Sequence, residues 1–173
     1  MDNFEFYAPT RMIFGKDTHL QVGKIIKEYG FKKVLVHFGG NSAKKSGLLD
    51  TVLQALDQEG IAYVTLGGVQ ANPTLSMARQ GIELCQKEGV ELILAVGGGS
   101  VLDSAKAIHL FYENPNLTFT EATIPYKLPK LGKKAVHISV PTTSGTGSET
   151  TSAAVFIDSV SKTKKLLLDN TLI

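Results

Sequence analysis

Short apolar runs alternate along this chain with stretches whose apolar positions recur at helical spacing. KVLVHF (33–38), IAYVTLG (61–67), ELILAV (91–96) and AVHISVP (135–141) are rich in β-branched residues and bounded by glycine or proline. Runs of that length predict buried strands. Residues 18–29 place Leu20, Ile25, Ile26 and Tyr29 near one helical face, and Gly30 supplies a stop. Leu48 to Leu56 has apolar residues at 48, 49, 52, 53 and 56; a helix opening at Asn72-Pro73-Thr74 carries Met77, Ile82, Leu84 and Cys85; VLDSAKAIHLFYE (101–113) predicts another. FEFYAPTRMIF (4–14) predicts two short strands broken at Pro9, an N-terminal β-hairpin. AVFID (154–158) and KKLLLD (164–169) predict a last strand pair around a charged turn. Residues 114–134 hold three of the six prolines and little periodicity, which predicts a loop.

Apolar strands alternating with helices imply an α/β fold, a Rossmann-like and mostly parallel sheet with helices on both faces. Its crossovers should be right-handed, and its ligands should sit outside the carboxyl ends of the strands. Glycine-rich segments follow strands 33–38, 91–96 and 135–141 at those ends. The 173 residues, 43% hydrophobic and 20% charged, exclude a disordered, collagenous or coiled-coil chain. A formal charge of +2 lacks the basic excess of a nucleic-acid binder, so none is expected as a partner. One cysteine, Cys85, cannot form an internal disulfide, so a reducing, cytoplasmic setting is expected. The opening MDNFEFYAPTRM has no apolar core of a signal peptide, and no apolar run approaches the ~20 residues of a membrane span.

The most informative run is AVGGGSVLDSAKA (95–107). A strand ends, glycines allow a tight turn, and a helix begins whose first free N–H groups and dipole favour an anion such as phosphate. Ser100 is placed to cap the helix and donate a hydrogen bond. The alternative is a tight strand–helix turn without a ligand. The run is neither G-x-G-x-x-G nor G-x-x-x-x-G-K-[ST], so it indicates a phosphate without saying which. A second candidate cradle, PTTSGTGSETTS (141–152), is dense in hydroxyls, although such residues also favour plain turns. Two donor-rich turns at one sheet edge suit a dinucleotide. The third segment, GGNSAKKSG (39–47), offers no carboxylate before Asp50 but has Lys44 and Lys45. In dinucleotide folds an acid at this strand end pairs with the ribose of NAD, and its absence beside cations favours NADP; a plain turn with solvated lysines is the alternative.

Together GGNSAKKSG (39–47), Asn72-Pro73-Thr74, GGGSVLDSAKA (97–107) and PTTSGTGSE (141–149) resemble the N-terminal domain of the iron-containing, or group III, alcohol dehydrogenases. The likeness is nearest to the NADPH-using, butanol-dehydrogenase-like aldehyde reductases, because of Gly-Gly-Asn-Ser at 39–42. It implies a two-domain enzyme interconverting small alcohols and aldehydes, with residues 1–173 as its dinucleotide-binding domain. By that resemblance Gly39, Gly40, Asn41 and Ser42 flank the adenosine ribose and its 2′-phosphate, and Asn72 lines the adenosine end. Gly98, Gly99 and Ser100 hold the pyrophosphate, and Asp103 lies near the nicotinamide half. Thr142, Thr143 and Thr146 line the cofactor with Ser144, Ser148 and Val155 nearby, and Lys164 aligns with a lysine near the nicotinamide ribose. Lys106 is expected on a solvated helix face.

The expected cofactor is NADP(H), with NAD as the alternative. The family's Fe or Zn is held in a helical C-terminal domain by an Asp and a His four residues apart plus two further histidines. This chain has no Asp-x-x-x-His, and His19, His37, His109 and His137 are scattered, so they are expected to be satisfied or exposed. The chain stops at LLLDNTLI, where the family continues, so the expectation is a cofactor half that binds NADP(H) but reduces aldehydes poorly alone. A homo-oligomer is expected, with the strand pair at 4–14 extending a neighbour's sheet. The competing readings are a non-catalytic nucleotide-binding domain and the nucleotide-binding half of a dehydroquinate synthase-like lyase.

Overall fold

The structure, a computed structural model, describes residues 8–71, 73–158 and 162–173. Strands β1 (Lys33–Gly39), β2 (Ala62–Val69), β3 (Leu92–Gly97) and β4 (Val136–Pro141) form one parallel sheet in the order β2-β1-β3-β4. Val34 lies opposite Tyr63 on one side and Leu92 on the other, and Leu92 lies opposite Val136. The order reverses direction between β1 and β3. In open α/β sheets such a switch point leaves a crevice at the strands' carboxyl ends, where ligands bind.

The period-2 pleat sorts the central residues. Val34, Val36, Leu92, Leu94 and Val96 share a core with Val22 and Ile26 of α1 (Val22–Glu28) and Leu49, Val52 and Leu56 of α3 (Leu48–Gln58). Leu35, Ile93 and Ala95 face the other way, into a core with Ala78 and Cys85 of α4 (Leu75–Glu88) and Leu102, Ala105 and Ile108 of α5 (Gly99–Glu113). Every residue of β3 is buried, as expected of a strand covered on both faces. A one-turn helix α2 (Ser42–Lys45) follows β1. A separate antiparallel pair, β5 (Ala153–Ile157) and β6 (Lys164–Leu168), buries Phe156 and Leu167 in the α5 core.

The structure departs from the sequence pattern at three places. Residues 8–14 form no strand, and 4–7 lie outside the described residues; Pro9 has no N–H to donate, and Phe14 stands 95% exposed. The proline-bearing loop contains α6 (Phe119–Ala122), nucleated by a capping box in which Thr118 and Glu121 satisfy each other's backbone N–H groups. The same loop then turns into β4 around the Glu113 carboxylate, which accepts N–H bonds from Gly132, Lys133, Lys134 and Ala135. Among the described residues no helix is long and apolar enough to cross a membrane.

Candidate functional site

The sheet's carboxyl edge gathers three of the segments singled out by sequence. β3 delivers Gly97 to the rim, Gly98 caps α5 with extended backbone, and the helix starts at Gly99. The first N–H groups taken up inside the helix are those of Val101 and Leu102, both given to the Gly98 carbonyl. The N–H groups of Gly99 and Ser100 precede that ladder and stay at the helix's positive end, and Gly98 has no side chain to cap them.

The hydroxyl-rich loop lies directly on these glycines. Thr142 N–H donates to the Gly97 carbonyl at 2.9 Å. A methyl built on Gly98 would meet Thr143 Oγ1 at 3.1 Å, and one built on Gly99 would meet Thr146 Cγ2 at 2.9 Å. The closeness of the two turns therefore requires glycine on the α5 side. Gly145 (φ +109°) and Gly147 (φ +64°) give the loop left-handed turns that other side chains rarely adopt. Thr142, Thr143, Ser144 and Thr146 are exposed on the rim.

Asp103, one turn into α5, ties this loop down from below. Its Oδ1 accepts from the buried Ser148 hydroxyl at 2.6 Å, and its Oδ2 accepts from Val155 N–H at 3.0 Å. Ser148 and Val155 are thereby joined to the rim through one carboxylate. Lys106, one turn further along, is 2% exposed. Its Nζ donates to the carbonyls of Thr151 at 2.6 Å and Ala153 at 3.0 Å. The expectation of a solvated Lys106 is thus corrected: the helix face that carries it packs under β5 rather than facing water. Desolvation pushes its amino group down to about 8, against the pull of Asp103 and Glu149. Glu149 Oε2 is buried and has no hydrogen-bond partner among the described residues.

The third segment ends β1. Gly39 is buried and lies 3.4 Å, by its absent methyl, from Val101 of α5, so this strand tip adjoins the α5 turn. Gly40, Asn41 and Ser42 are exposed beside it, with no carboxylate among them, and Lys44 Nζ rests 5.2 Å from the Phe38 ring centroid. Lys164 stands exposed at the start of β6 opposite Ile157, two pairs, about 7 Å, along the ladder from Val155. Asn72 lies outside the described residues; its neighbour Pro73 accepts from Ile157 N–H at 3.0 Å.

Buried histidines stiffen the region without facing the rim. His37 Nδ1 donates to the Leu66 carbonyl at 3.1 Å, which leaves Nε2 to accept from the Ser104 hydroxyl at 3.0 Å. Desolvation pushes that imidazole down to about 4. His109 Nε2 approaches the Ala135 carbonyl at 2.9 Å and Glu113 Oε1 at 3.3 Å. Sequence reasoning misses this i, i+4 pair and Glu113's grip on the loop; the spacing on one helix face was the available signal. Lys106, His109 and His137 also line a cavity of about 250 Å³ beside Leu131 and Ile173. Among the described residues no three His, Cys, Asp or Glu side chains gather as a metal-ligand set, so no metal chemistry can be derived from them.

Two unused helix N–H groups, a glycine floor closed by a threonine loop and a rim of exposed hydroxyls together fit a pyrophosphate flanked by sugars. The sequence profile of the family described as iron-containing alcohol dehydrogenase matches residues 9–173. The chain is 36% identical over 171 residues to an NADH-dependent butanol dehydrogenase B of Clostridium acetobutylicum, covering 96% of this chain and 42% of that protein. It is 35% identical over 164 residues to an NADPH-dependent butanol dehydrogenase of Clostridium saccharobutylicum, covering 95% and 41%. The crystal structure of an NADH-dependent butanol dehydrogenase A from Thermotoga maritima superposes with a TM-score of 0.90 at 38% identity, over 99% of this chain and 42% of that one. The chain thus spans about two fifths of the length of these relatives.

Proposed function

The chain belongs to the iron-containing alcohol dehydrogenase family, and from that premise we propose that residues 1–173 form the NAD(P)(H)-binding domain of an alcohol dehydrogenase or aldehyde reductase. The observation that carries this reading is the contact of Gly98 and Gly99 with Thr143 and Thr146 beneath two unused helix N–H groups. The N–H groups of Gly99 and Ser100 would take the pyrophosphate, with Thr142, Thr143, Ser144 and Thr146 donating along the nicotinamide half. Asp103 would act by orienting Ser148 and Val155, since both its oxygens are already engaged. Gly39, Gly40, Asn41 and Ser42 would border the adenosine ribose. Their lack of a carboxylate, with Lys44 and Lys45 following, favours the 2′-phosphate of NADP over the free hydroxyl of NAD. Relatives carry both coenzyme names, so the preference rests on this strand end. Asn72 and Lys164 are proposed as outer contacts.

When bound, the nicotinamide would supply or accept the hydride as a small aldehyde and its alcohol interconvert. This chain's residues would hold and orient the coenzyme. The family's Fe or Zn, which would polarise the carbonyl, finds no ligand set among the described residues, so this chain alone should bind coenzyme and turn over poorly. Homo-oligomerisation and a reducing, cytoplasmic setting, suited to the lone buried Cys85, belong to the same reading. Fluorescence titration of the chain with NADPH and NADH tests it. Saturable binding, tighter for NADPH, is expected; absence of saturation with either at millimolar concentration overturns the reading.

A further inference from the structure

Two features of α5 stand apart from the rim itself. Asp103 takes donors from the hydroxyl-rich loop and β5, and Lys106, three residues on, gives donors to the same two segments. One helix thus fixes the second cradle through a half-buried carboxylate and a buried ammonium, while its own first turn forms the other cradle. We propose that Lys106 is a positioning residue for the coenzyme: its ammonium seats the loop through the Thr151 and Ala153 carbonyls and supplies a buried positive charge beneath the pyrophosphate site. This inference rests on the coenzyme-binding reading above.

Lys106 lies six residues past Ser100, about 9 Å along the helix axis. At that distance, inside protein rather than water, a bound pyrophosphate attracts the ammonium strongly enough to shift its proton equilibrium by about one unit. Among the described residues the titratable groups facing it are Asp103 and His109 on α5, Glu149 on the loop and His137 on β4. Burial pushes both histidines down, away from the alkaline range. The amino group itself sits near 8, so it is about half charged at that pH. Coenzyme binding then takes up a proton at mildly alkaline pH, and affinity falls as pH rises. Stability moves the opposite way: above pH 8 the folded chain releases a proton that the unfolded lysine keeps, so the fold gains. Over this range the titration of Lys106 itself therefore does not weaken the fold.

The test is calorimetric titration of the wild-type chain with NADPH and with NADH at pH 7.5, 8.5 and 9.5, each in two buffers of different ionisation enthalpy. Uptake of about half a proton per coenzyme near pH 8.5 and a roughly three- to tenfold loss of affinity by pH 9.5 are expected. In Lys106→Met the uptake should vanish and affinity should be low throughout. Lys106→Arg should keep affinity flat with pH, because a guanidinium does not titrate there. NMR of ¹³C-labelled lysine, following Lys106 with and without coenzyme, reads the same shift in the wild type and needs no variant for its measurement. Binding without uptake, or uptake unchanged in Lys106→Met, overturns this inference alone. No binding by the wild-type chain overturns the coenzyme reading and this inference with it.

Discussion

Replacing Gly99 by alanine separates the fit of the two cradles from the stability of the helix. Gly99 does not occupy the left-handed region, so alanine suits its backbone, and helix propensity alone would favour the change by up to about 1 kcal/mol. The new methyl would meet Thr146 at 2.9 Å to Cγ2, 3.1 Å to Cβ and 3.3 Å to Oγ1. Carbon–carbon contact is comfortable near 3.7 Å, so the exposed loop must retreat by about 0.8 Å. A hydroxyl set back that far loses its charge-assisted bond to a phosphate, about 1.5–2 kcal/mol, or roughly ten- to thirtyfold in Kd. Thr146→Ser removes the Cγ2 atom that is struck first, so it should restore most of the affinity when added to Gly99→Ala. Fluorescence titration gives Kd, and thermal melting gives Tm for all four members of the cycle. Gly99→Ala with Kd within about twofold of wild type and an unchanged Tm would refute the reasoning, because the loop would then not depend on the glycine floor.

Asp103→Asn leaves one carbonyl oxygen for two donors, Ser148 Oγ and Val155 N–H, so it should lower stability by about 1–3 kcal/mol and weaken coenzyme binding, read by denaturant melts and titration. His37, pushed down to about 4 from 6.5, gives a stability that is full above pH 6.5 and is lost toward pH 4, by about 3 kcal/mol in all. His37→Gln should flatten that acid limb in urea melts at pH 4.5 to 7, and an unchanged slope would count against the buried neutral imidazole. Cys85, fully buried with its thiol pushed up to about 12, should resist an aromatic disulfide reagent at pH 8 until the chain unfolds; prompt labelling of the native chain would contradict its place in the core.

The sheet was legible because β3 is an unbroken apolar run, β1 and β4 are apolar runs with few polar residues, and all three end in glycine or proline. The rim was legible for the same reason: glycines at strand ends have few uses beyond tight turns and ligand approach. Lys106 was misread because periodicity scores a lysine as polar, and only the later chain, β5 folding back over α5, shows that this face is covered. Of the strand pair expected at 4–14, the described residues 8–14 form no strand, and Pro9 has no N–H to give a ladder there. Asp103 was expected near the nicotinamide half, but its protein partners were not legible, because its donors come from residues 45 and 52 positions away. Long-range pairs of that kind leave no local trace in composition or spacing.

The central claim is that the turns after β3 and β4 jointly hold the coenzyme. Backbone amide NMR of the ¹⁵N-labelled 18.6 kDa chain, titrated with NADPH, tests this most directly. The account predicts that the largest shifts fall on Gly98, Gly99 and Ser100 and on Thr142 to Ser148, with a second group at Gly39 to Ser42. Shifts confined to the cavity beside Leu131 and Ile173, or a spectrum unchanged at saturating coenzyme, would contradict it.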